Sequence, residues 1–402
     1  MPMLERPISK AGWTRVRFDQ IATQINERVD NPAEAGVERY VGLEHLDPDS
    51  LRIRRWGEPT DVESTKLRFQ PGDIIFGKRR VYQRKVAVAD FEGICSAHAM
   101  VLRAKPGAVL PDFLPFFMQS DLFMERALSI SVGSLSPTIN WTALAAEEFL
   151  LPPIREQSRL VEALSAADKL AEVQHDLLTR SESVFKALFK ERIGRGFKPA
   201  DYQRWEEDDE PNMCFVRLSE VASVDRGRFS HRPRNLPQFF GGPYPFAQTG
   251  DVAAARGRDF SASQFLSDEG VQYGKSFPPG TIFLTIAAVI AATAISTTET
   301  YCTDSVVGIV PKDPLDVDYL EYTLRFTRPY LEFEVATQTA QKNINLEVLR
   351  PLTIPWPSKE DRDAIAKELA AAESAIRTIE ARQAATKKIM HEILRANFEV
   401  PA

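Results

Sequence analysis

IREQSRLVEALSAADKLAEVQHDLLTRSESVFKALFKERI, residues 154 to 193, decides the fold. Within it Leu160, Leu164, Ala167, Ala171, Gln174, Leu178, Ser181, Phe185 and Leu188 follow one another at alternating steps of four and three, the a/d spacing of a coiled coil. At 1.5 Å per residue, about forty residues of helix make a rod of roughly 60 Å, too long to be an incidental core helix of a small domain. Such a rod must lie along a partner.

The partner is further along the same chain. Ile365, Leu369, Ala372, Ile376, Ile379, Gln383, Thr386, Met390 and Ile393 repeat the spacing at a constant offset of 205 residues, from Leu160 to Ile365. Pseudo-two-fold repeats in one chain would lay these helices antiparallel, with Gln174 opposite Ile379 and Leu178 opposite Ile376. Polar Gln and Ser on the seam weaken the zipper and help fix its register. Pro152-Pro153 and Pro355, Pro357 mark where each helix begins, because proline disfavours helix in the residue before it and suits the first turn.

Upstream of each helix the self-similarity continues in the same order. Val16-Arg17-Phe18 answers to Val216-Arg217-Leu218, Phe69 to Ile74 (FQPGDI) to Phe277 to Ile282 (FPPGTI), Cys95 to Cys302, Asp112-Phe113-Leu114 to Asp318-Tyr319-Leu320, and Ile139-Asn140 to Ile344-Asn345. The expected fold is α+β: two tandem mixed α/β domains, each followed by a long helix, the two helices forming an antiparallel coiled coil. The expected boundaries are a first domain at 1–153, a central helix at 154–196, an acidic linker at 197–212, a second domain at 213–358 and a C-terminal helix at 359–402. The helices would act as a ruler holding two domains at a fixed separation, a design that suits reading two half-sites on one duplex.

Composition narrows the class. A 402-residue chain with 44% hydrophobic and 26% charged residues can bury more than one core. Cys95, Cys214 and Cys302 lie far apart without a Cys-x-x-Cys pair, which disfavours a disulfide framework or a zinc site and fits a reducing cytoplasm. Met1 to Lys10 has charges and a proline where a signal peptide needs an apolar core. The uncharged run Ser276 to Thr298 contains Pro278-Pro279-Gly280 and reads as a buried strand-turn-strand rather than a membrane helix. The net charge of -6 argues against a nucleic-acid partner, but it conceals segregation. Tyr202 to Glu210 (YQRWEEDDE) is acidic, whereas Lys66 to Lys105 carries nine Lys or Arg against three acidic residues.

The sharpest local signal lies in that basic stretch. Lys78, Arg79, Arg80, Gln83, Arg84 and Lys85, with Tyr82 among them, join a strand at 74–76 to one at 86–89. Cations neutralise phosphate, and Arg and Gln offer bidentate readout of guanine and adenine; a solvated surface hairpin is the bland alternative. In the second repeat Arg226, Arg228, Arg232 and Arg234, with His231, Asn235 and the nearby Gln248, form a comparable cluster, or else a flexible Arg-rich loop without a ligand. Ser134 and Thr138 in SLSPTINW, and Lys342 in QKNIN, sit in equivalent loops that suit either DNA backbone contact or a structural turn.

Catalytic machinery is not found. Pro71-Gly-Asp73 before Gly77-Lys78 lacks the acidic residue that a nuclease would place at Gly77, and Gly241 to Phe246 (GGPYPF) lacks the leading amide or carboxylate of an amino-methyltransferase loop. No phosphate-binding glycine loop follows a strand, so neither ATP nor a dinucleotide is expected on this chain. His98, three residues after Cys95, reads as buried rather than metal-binding, and His45 beside Glu44 as a polar loop residue.

Taken together, FQPGDIIFGKRRVYQRKVAVAD followed by GICSAH, GSLSPTINW, and LPPIREQSRL opening the first helix resemble the specificity (S) subunits of type I restriction-modification systems. The resemblance covers essentially the whole chain. The pattern Pro-Pro-x-x-Glu-Gln at Pro152 to Gln157 is distinctive for that family; its second copy departs with Asp361-Arg362. The resemblance implies two target recognition domains that each read half of a bipartite double-stranded DNA sequence. It implies a non-catalytic chain that docks two methylation subunits and the restriction subunits, with S-adenosylmethionine and ATP on those partners, none here, and no membrane. A departure stands out: the second domain's counterpart of the basic loop, Leu284 to Thr293, has no cation, so phosphate contact there must come from elsewhere, Arg226 to Arg234 being candidates. Two alternatives stay open from sequence: a coiled-coil interaction protein without a DNA role, and the specificity subunit of a related fused nuclease-methyltransferase system.

Overall fold

The computed structural model describes residues 12–194, 214–231, 235–258, 260–332 and 343–398. Two compact units emerge, one of residues 1–176 with 379–402 and the other of 177–378, so that each long helix contributes to both. The acidic linker lies outside the described residues.

The first unit runs β1 (Thr14–Arg17), α1 (Phe18–Ile21), β2 (Ala22–Ile25), β3 (Arg28–Val29), β4 (Tyr40–Val41), β5 (Lys66–Phe69), β6 (Ile74–Phe76), β7 (Val86–Val88), β8 (Gly93–Ser96), β9 (Met100–Ala104), α2 (Phe113–Met118), α3 (Asp121–Ser129), α4 (Trp141–Ala146), β10 (Glu148–Leu151) and α5 (Ile154–Arg192). Its strands form two four-stranded sheets, β2-β9-β6-β7 and β3-β5-β8-β4, and a ribbon in which β1 pairs antiparallel with β10. Short runs such as Ile-Ile-Phe in β6, buried at every position, are apolar on both faces because one side meets the second sheet and the other the helices.

The second unit repeats the plan, among the described residues, with α6 (Leu218–Val221), α7 (Thr249–Ala254), α8 (Val317–Tyr330), α9 (Leu346–Leu349), α10 (Lys359–Phe398) and ten strands. Strands β12 (Ala222–Arg226), β19 (Val306–Pro311), β16 (Ile282–Thr285) and β17 (Thr293–Ile295) form the sheet β12-β19-β16-β17, which matches β2-β9-β6-β7. In the other sheet, β14 (Gln264–Leu266), β13 (Phe240–Ala247), β18 (Thr300–Cys302) and β15 (Ser276–Phe277) are neighbours in that order. The equivalence of Cys95 and Cys302 is literal. Cys95 stands opposite Val41 in a parallel pair, and Cys302 opposite Ala247 in another. Both thiols are buried, and burial raises them well above the ordinary thiol range, to about 12 for Cys95. Gly72 and Gly280 take φ of 88° and 81° at the same turn of each repeat, a conformation that excludes side chains cheaply only for glycine. The ribbon recurs as β11 (Phe215–Arg217) with β20 (Thr353–Pro355).

Of the eighteen seam positions expected on α5 and α10, none is exposed. In the first unit Leu160 and Leu164 share a core with Met390, Leu394 and Phe398, where Phe398 packs 5.4 Å from Phe117, centroid to centroid. In the second unit Phe185, Leu188 and Ile193 pack with Ile365 and Leu369 beneath Tyr319 and Tyr322. Among the described residues no helix is long and apolar enough to cross a membrane.

Candidate nucleic-acid interface

The basic loop and the serine-rich loop of the first unit, 56 residues apart at Arg80 and Ser136, meet edge to edge. Arg80 N–H donates to the Pro137 carbonyl at 2.8 Å and Ile139 N–H to the Lys78 carbonyl at 3.0 Å, while Arg79 and Thr138 form an isolated antiparallel bridge. The serine loop is itself a small hairpin, closed by two 3.0 Å bonds between Val132 and Thr138. The sequence gives no hint of this pairing, yet it collects Lys78, Arg79, Arg80, Ser134 and Thr138 on one surface.

Within that loop the cations divide. Arg84 is half-buried and committed to the protein: it pairs with Asp49 at 2.6 Å and Asp121 at 2.9 Å and donates to the Gln119 carbonyl. Lys85 donates to the Leu43 carbonyl at 2.6 Å. Lys78, Arg79 and Arg80, in contrast, have no carboxylate partner among the described residues; Arg79 stands 3.2 Å from His98 Nε2 and Arg80 Nε donates to Ser136 Oγ at 3.4 Å. Burial lowers the Lys78 ammonium from its ordinary value, with Arg28 pushing it the same way. Gln83 lies in the 3-10 turn Val81–Gln83, and the arginines on either side, Arg80 and Arg84, hold left-handed backbone at φ of 58° and 53°. Such strain in non-glycine residues persists only where surrounding structure fixes it, and it clusters at functional sites.

His98 corrects the sequence reading. It is exposed, not buried with Cys95, and it sits among cations. Desolvation lowers its imidazole below the usual value, and Arg79, Lys78 and Lys66 lower it further, so the neutral form is favoured. Among the described residues no cluster could hold a metal. His45 is a turn residue, its Nδ1 accepting from the Gly42 N–H at 3.0 Å. Arg28, exposed at the start of β3, adds a small push to the lowering of the Lys78 ammonium; the signal that could have drawn attention to it was Arg228, its counterpart in the second repeat.

In the second unit the turn from β16 to β17 is uncharged and closed on itself, with Thr285 Oγ1 accepting the Ala292 N–H at 2.9 Å. Ile344 N–H donates to the Ile286 carbonyl at 3.1 Å, the counterpart of Ile139 on Lys78. Arg226 reaches this end of the sheet by donating to the Asp304 carbonyl, next to Ser305, whose carbonyl accepts the Ile286 N–H. Arg228 is exposed and touches the Gly274 carbonyl at 3.5 Å. Gln248 Nε2 donates to Gln264 Oε1 at 3.1 Å on the rim of a recess of about 300 Å³ floored by Phe229, Phe240 and Phe246. Arg232, Arg234 and Lys342 lie outside the described residues.

Both units fasten their sheet domain to a long helix with arginines. Arg52 donates to Asp168 at 2.8 Å and Arg54 pairs with Glu172, both acids on α5. Arg258 and Arg325 meet Glu373 on α10, at 3.5 and 2.5 Å, above the buried Glu321. Asp168 and Glu373 are separated by the same 205 residues as the helix seams.

The chain thus carries two repeated α/β domains, each with a group of cations at one end of a sheet and each leading into a long helix. The profile of the type I restriction modification DNA specificity domain matches residues 60–180 and 211–387, and the chain belongs to that family. It is 28% identical over 235 residues to the type I restriction enzyme EcoDI specificity subunit of Escherichia coli, a match covering 55% of this chain and 49% of that protein. The chain thus aligns with about half the length of this relative. The fold is shared with the S subunit of a type I restriction-modification system from M. genitalium, at a TM-score of 0.65 and 13% identity over 97% of each chain. It is shared too with a chain from a structural study of complex assembly and conformational transition in the type I R-M system, at a TM-score of 0.55 and 20% identity over 96% of this chain and 97% of that one.

Proposed function

We propose that this chain is the specificity subunit of a type I restriction-modification complex, each α/β domain reading one half of a bipartite DNA sequence. The observation that carries this reading is the surface on which Lys78, Arg79 and Arg80, all without carboxylate partners among the described residues, are pinned to the Ser134–Thr138 loop. Uncompensated cations on a rigid edge release phosphate counterions without first breaking internal ion pairs. In the second domain Arg226 and Arg228, with Arg232 and Arg234, take that part, and the Gln248–Gln264 pair offers base-edge donors and acceptors.

The two long helices form an antiparallel coiled coil on this reading, supported by the covered seam positions and by the start of α5 sharing a core with the end of α10. Their outer faces dock two methylation subunits, and Leu170, Val173, Leu177 and Val184, all exposed on α5, supply apolar surface for them. The chain contributes recognition and no catalysis. S-adenosylmethionine and ATP act on the methylation and restriction subunits, and the complex works in the cytoplasm. The acidic net charge fits a subunit that leaves part of the phosphate neutralisation to partners.

Co-expression with the methylation subunit encoded beside it, followed by single-molecule sequencing of genomic DNA, tests the reading. A methylated split motif with a fixed spacer is expected, and exchanging residues 1–153 for those of another such chain should change one half only. A chain that binds no methylation subunit and leaves DNA unmethylated would instead be a coiled-coil interaction protein.

A further inference from the structure

The hairpin that carries Ser134 and Thr138 ends in a leucine. Leu135 is 91% exposed, and Val132 at the base of the hairpin is 74% exposed. A single exposed leucine is ordinary on any protein surface; its setting here is not. The hairpin is closed by the paired Val132 and Thr138 bonds, tightened by Thr138 Oγ1 on the Ser136 carbonyl at 3.1 Å, and bonded along one edge to Lys78 and Arg80. Gly133, at φ of 112°, turns the chain out toward the tip. The leucine therefore cannot fold back onto a core without breaking this framework.

Its neighbours are hydroxyls and cations. Ser136 accepts from Arg80, and Arg79 lies across the bridge from Thr138. A leucine side chain has no donor or acceptor, so it cannot hydrogen-bond a base edge. Minor-groove-binding proteins frequently use such a side chain as a wedge that enters a base step, partly unstacks it and bends the duplex, and neighbouring cations suit the flanking phosphates. The geometry points to Leu135 as an apolar wedge that enters between adjacent base pairs of duplex DNA, anchored by Arg79 and Arg80. The inference rests on the DNA-reading function proposed above and adds to it a mode of engagement, deformation at one step rather than edge readout. Specificity from this residue then follows the stiffness of the step, with pyrimidine–purine steps favoured.

The test uses the full chain in complex with its methylation subunit. The probe is a duplex carrying the motif found by methylation mapping, with 2-aminopurine placed in turn at each position of the half-site read by residues 1–153, the methylated adenine excepted. Unstacking raises 2-aminopurine fluorescence, so the wild-type complex should brighten one step. Leu135→Ala should abolish that signal and weaken binding about ten-fold, whereas Leu135→Phe should retain both. The melting temperature and the yield of complex should not change, because Leu135 makes no core contact. If Leu135→Ala brightens the same step with wild-type affinity, the wedge is wrong and the DNA-reading function stands. If it sheds the methylation subunit, the tip is a protein-docking element and the wedge is overturned. If the wild-type complex neither methylates nor binds DNA, both readings fall together.

Discussion

Gln157 and Arg362 do the same work with different chemistry. Gln157 Nε2 donates to the Pro152 carbonyl at 2.9 Å, and Arg362 Nη1 donates to the Pro357 carbonyl at 2.7 Å, each reaching back over the first turn of its helix. The rest of each side chain fastens the helix to its domain: Gln157 Oε1 accepts the Leu110 N–H at 3.0 Å, while Arg362 holds the buried carboxylate of Asp316 at 2.9 Å. The place where the second copy of the helical motif departs from the first is therefore a compensated exchange, not a decayed repeat.

Removing either side chain should loosen one helix start. Gln157→Ala leaves a half-buried Leu110 N–H unpaired and is expected to cost about 1 to 3 kcal/mol. Arg362→Ala strips a buried carboxylate of its main partner and should cost about 3 kcal/mol, with Lys359 retaining part of the charge balance. Burial pushes Asp316 up, but hydrogen bonds from Arg362 and Lys359 outweigh it and hold the group below its ordinary value. That contribution is present above the unfolded carboxylate value and is lost as pH falls through the folded one. Chemical denaturation from pH 7 down to about 3 should thus show acid-side destabilisation that is smaller in Arg362→Ala.

Arg79 and Arg84 stand five residues apart with opposite expectations. Arg79→Ala should leave the melting temperature alone and cost about 1 to 3 kcal/mol in DNA affinity if it reads a base. Arg84→Ala should lower the melting temperature by releasing Asp49 and Asp121, a cost of about 1 to 2 kcal/mol after screening at this half-buried site. Equal effects of the two substitutions on binding at unchanged stability would remove the structural role given to Arg84.

His98 is expected to make DNA affinity depend on pH. Desolvation, and then Arg79, Lys78 and Lys66, hold its folded-state value below the ordinary 6.5, so in the free protein protonation is disfavoured and stability falls as pH drops from the ordinary value toward the folded one. Phosphate beside the same cluster reverses the balance and favours the imidazolium. Binding measured by fluorescence anisotropy should therefore tighten from pH 8 to about 6, and His98→Asn should remove that slope. A slope unchanged in the variant would place His98 away from the phosphates.

Phe398 closes the first unit from the far end of the chain, 2% exposed among Phe113, Phe117 and Trp13. Phe398→Ala should destabilise that unit by about 3 to 5 kcal/mol, read as an earlier loss of near-ultraviolet circular dichroism, whereas truncating the exposed Ile389 should change little.

Much of this was legible in the sequence because it is local or periodic. The a/d spacing located both helices to within a few residues, and the matched strands and turns, down to Cys95 and Cys302, followed from the offset between repeats. The division of the basic loop was not legible. Whether Arg84 is free or spent depends on Asp49 and Asp121, and Lys85 on a carbonyl at Leu43, partners that only the folded chain brings near. His98 was misread for the same reason: its distance from Cys95 in sequence says nothing of Arg79, which arrives from another strand connection.

Each α/β domain also starts and finishes at one spot. Thr14 lies opposite Leu151 in the first ribbon, and Phe215 opposite Pro355 in the second. A segment whose two ends are neighbours is a cassette: it can be cut out at its ribbon and replaced by another without moving the helix that follows. Recombination between related genes at these two junctions would hand the cell a new DNA vocabulary in a single step, with the surrounding machinery inherited intact.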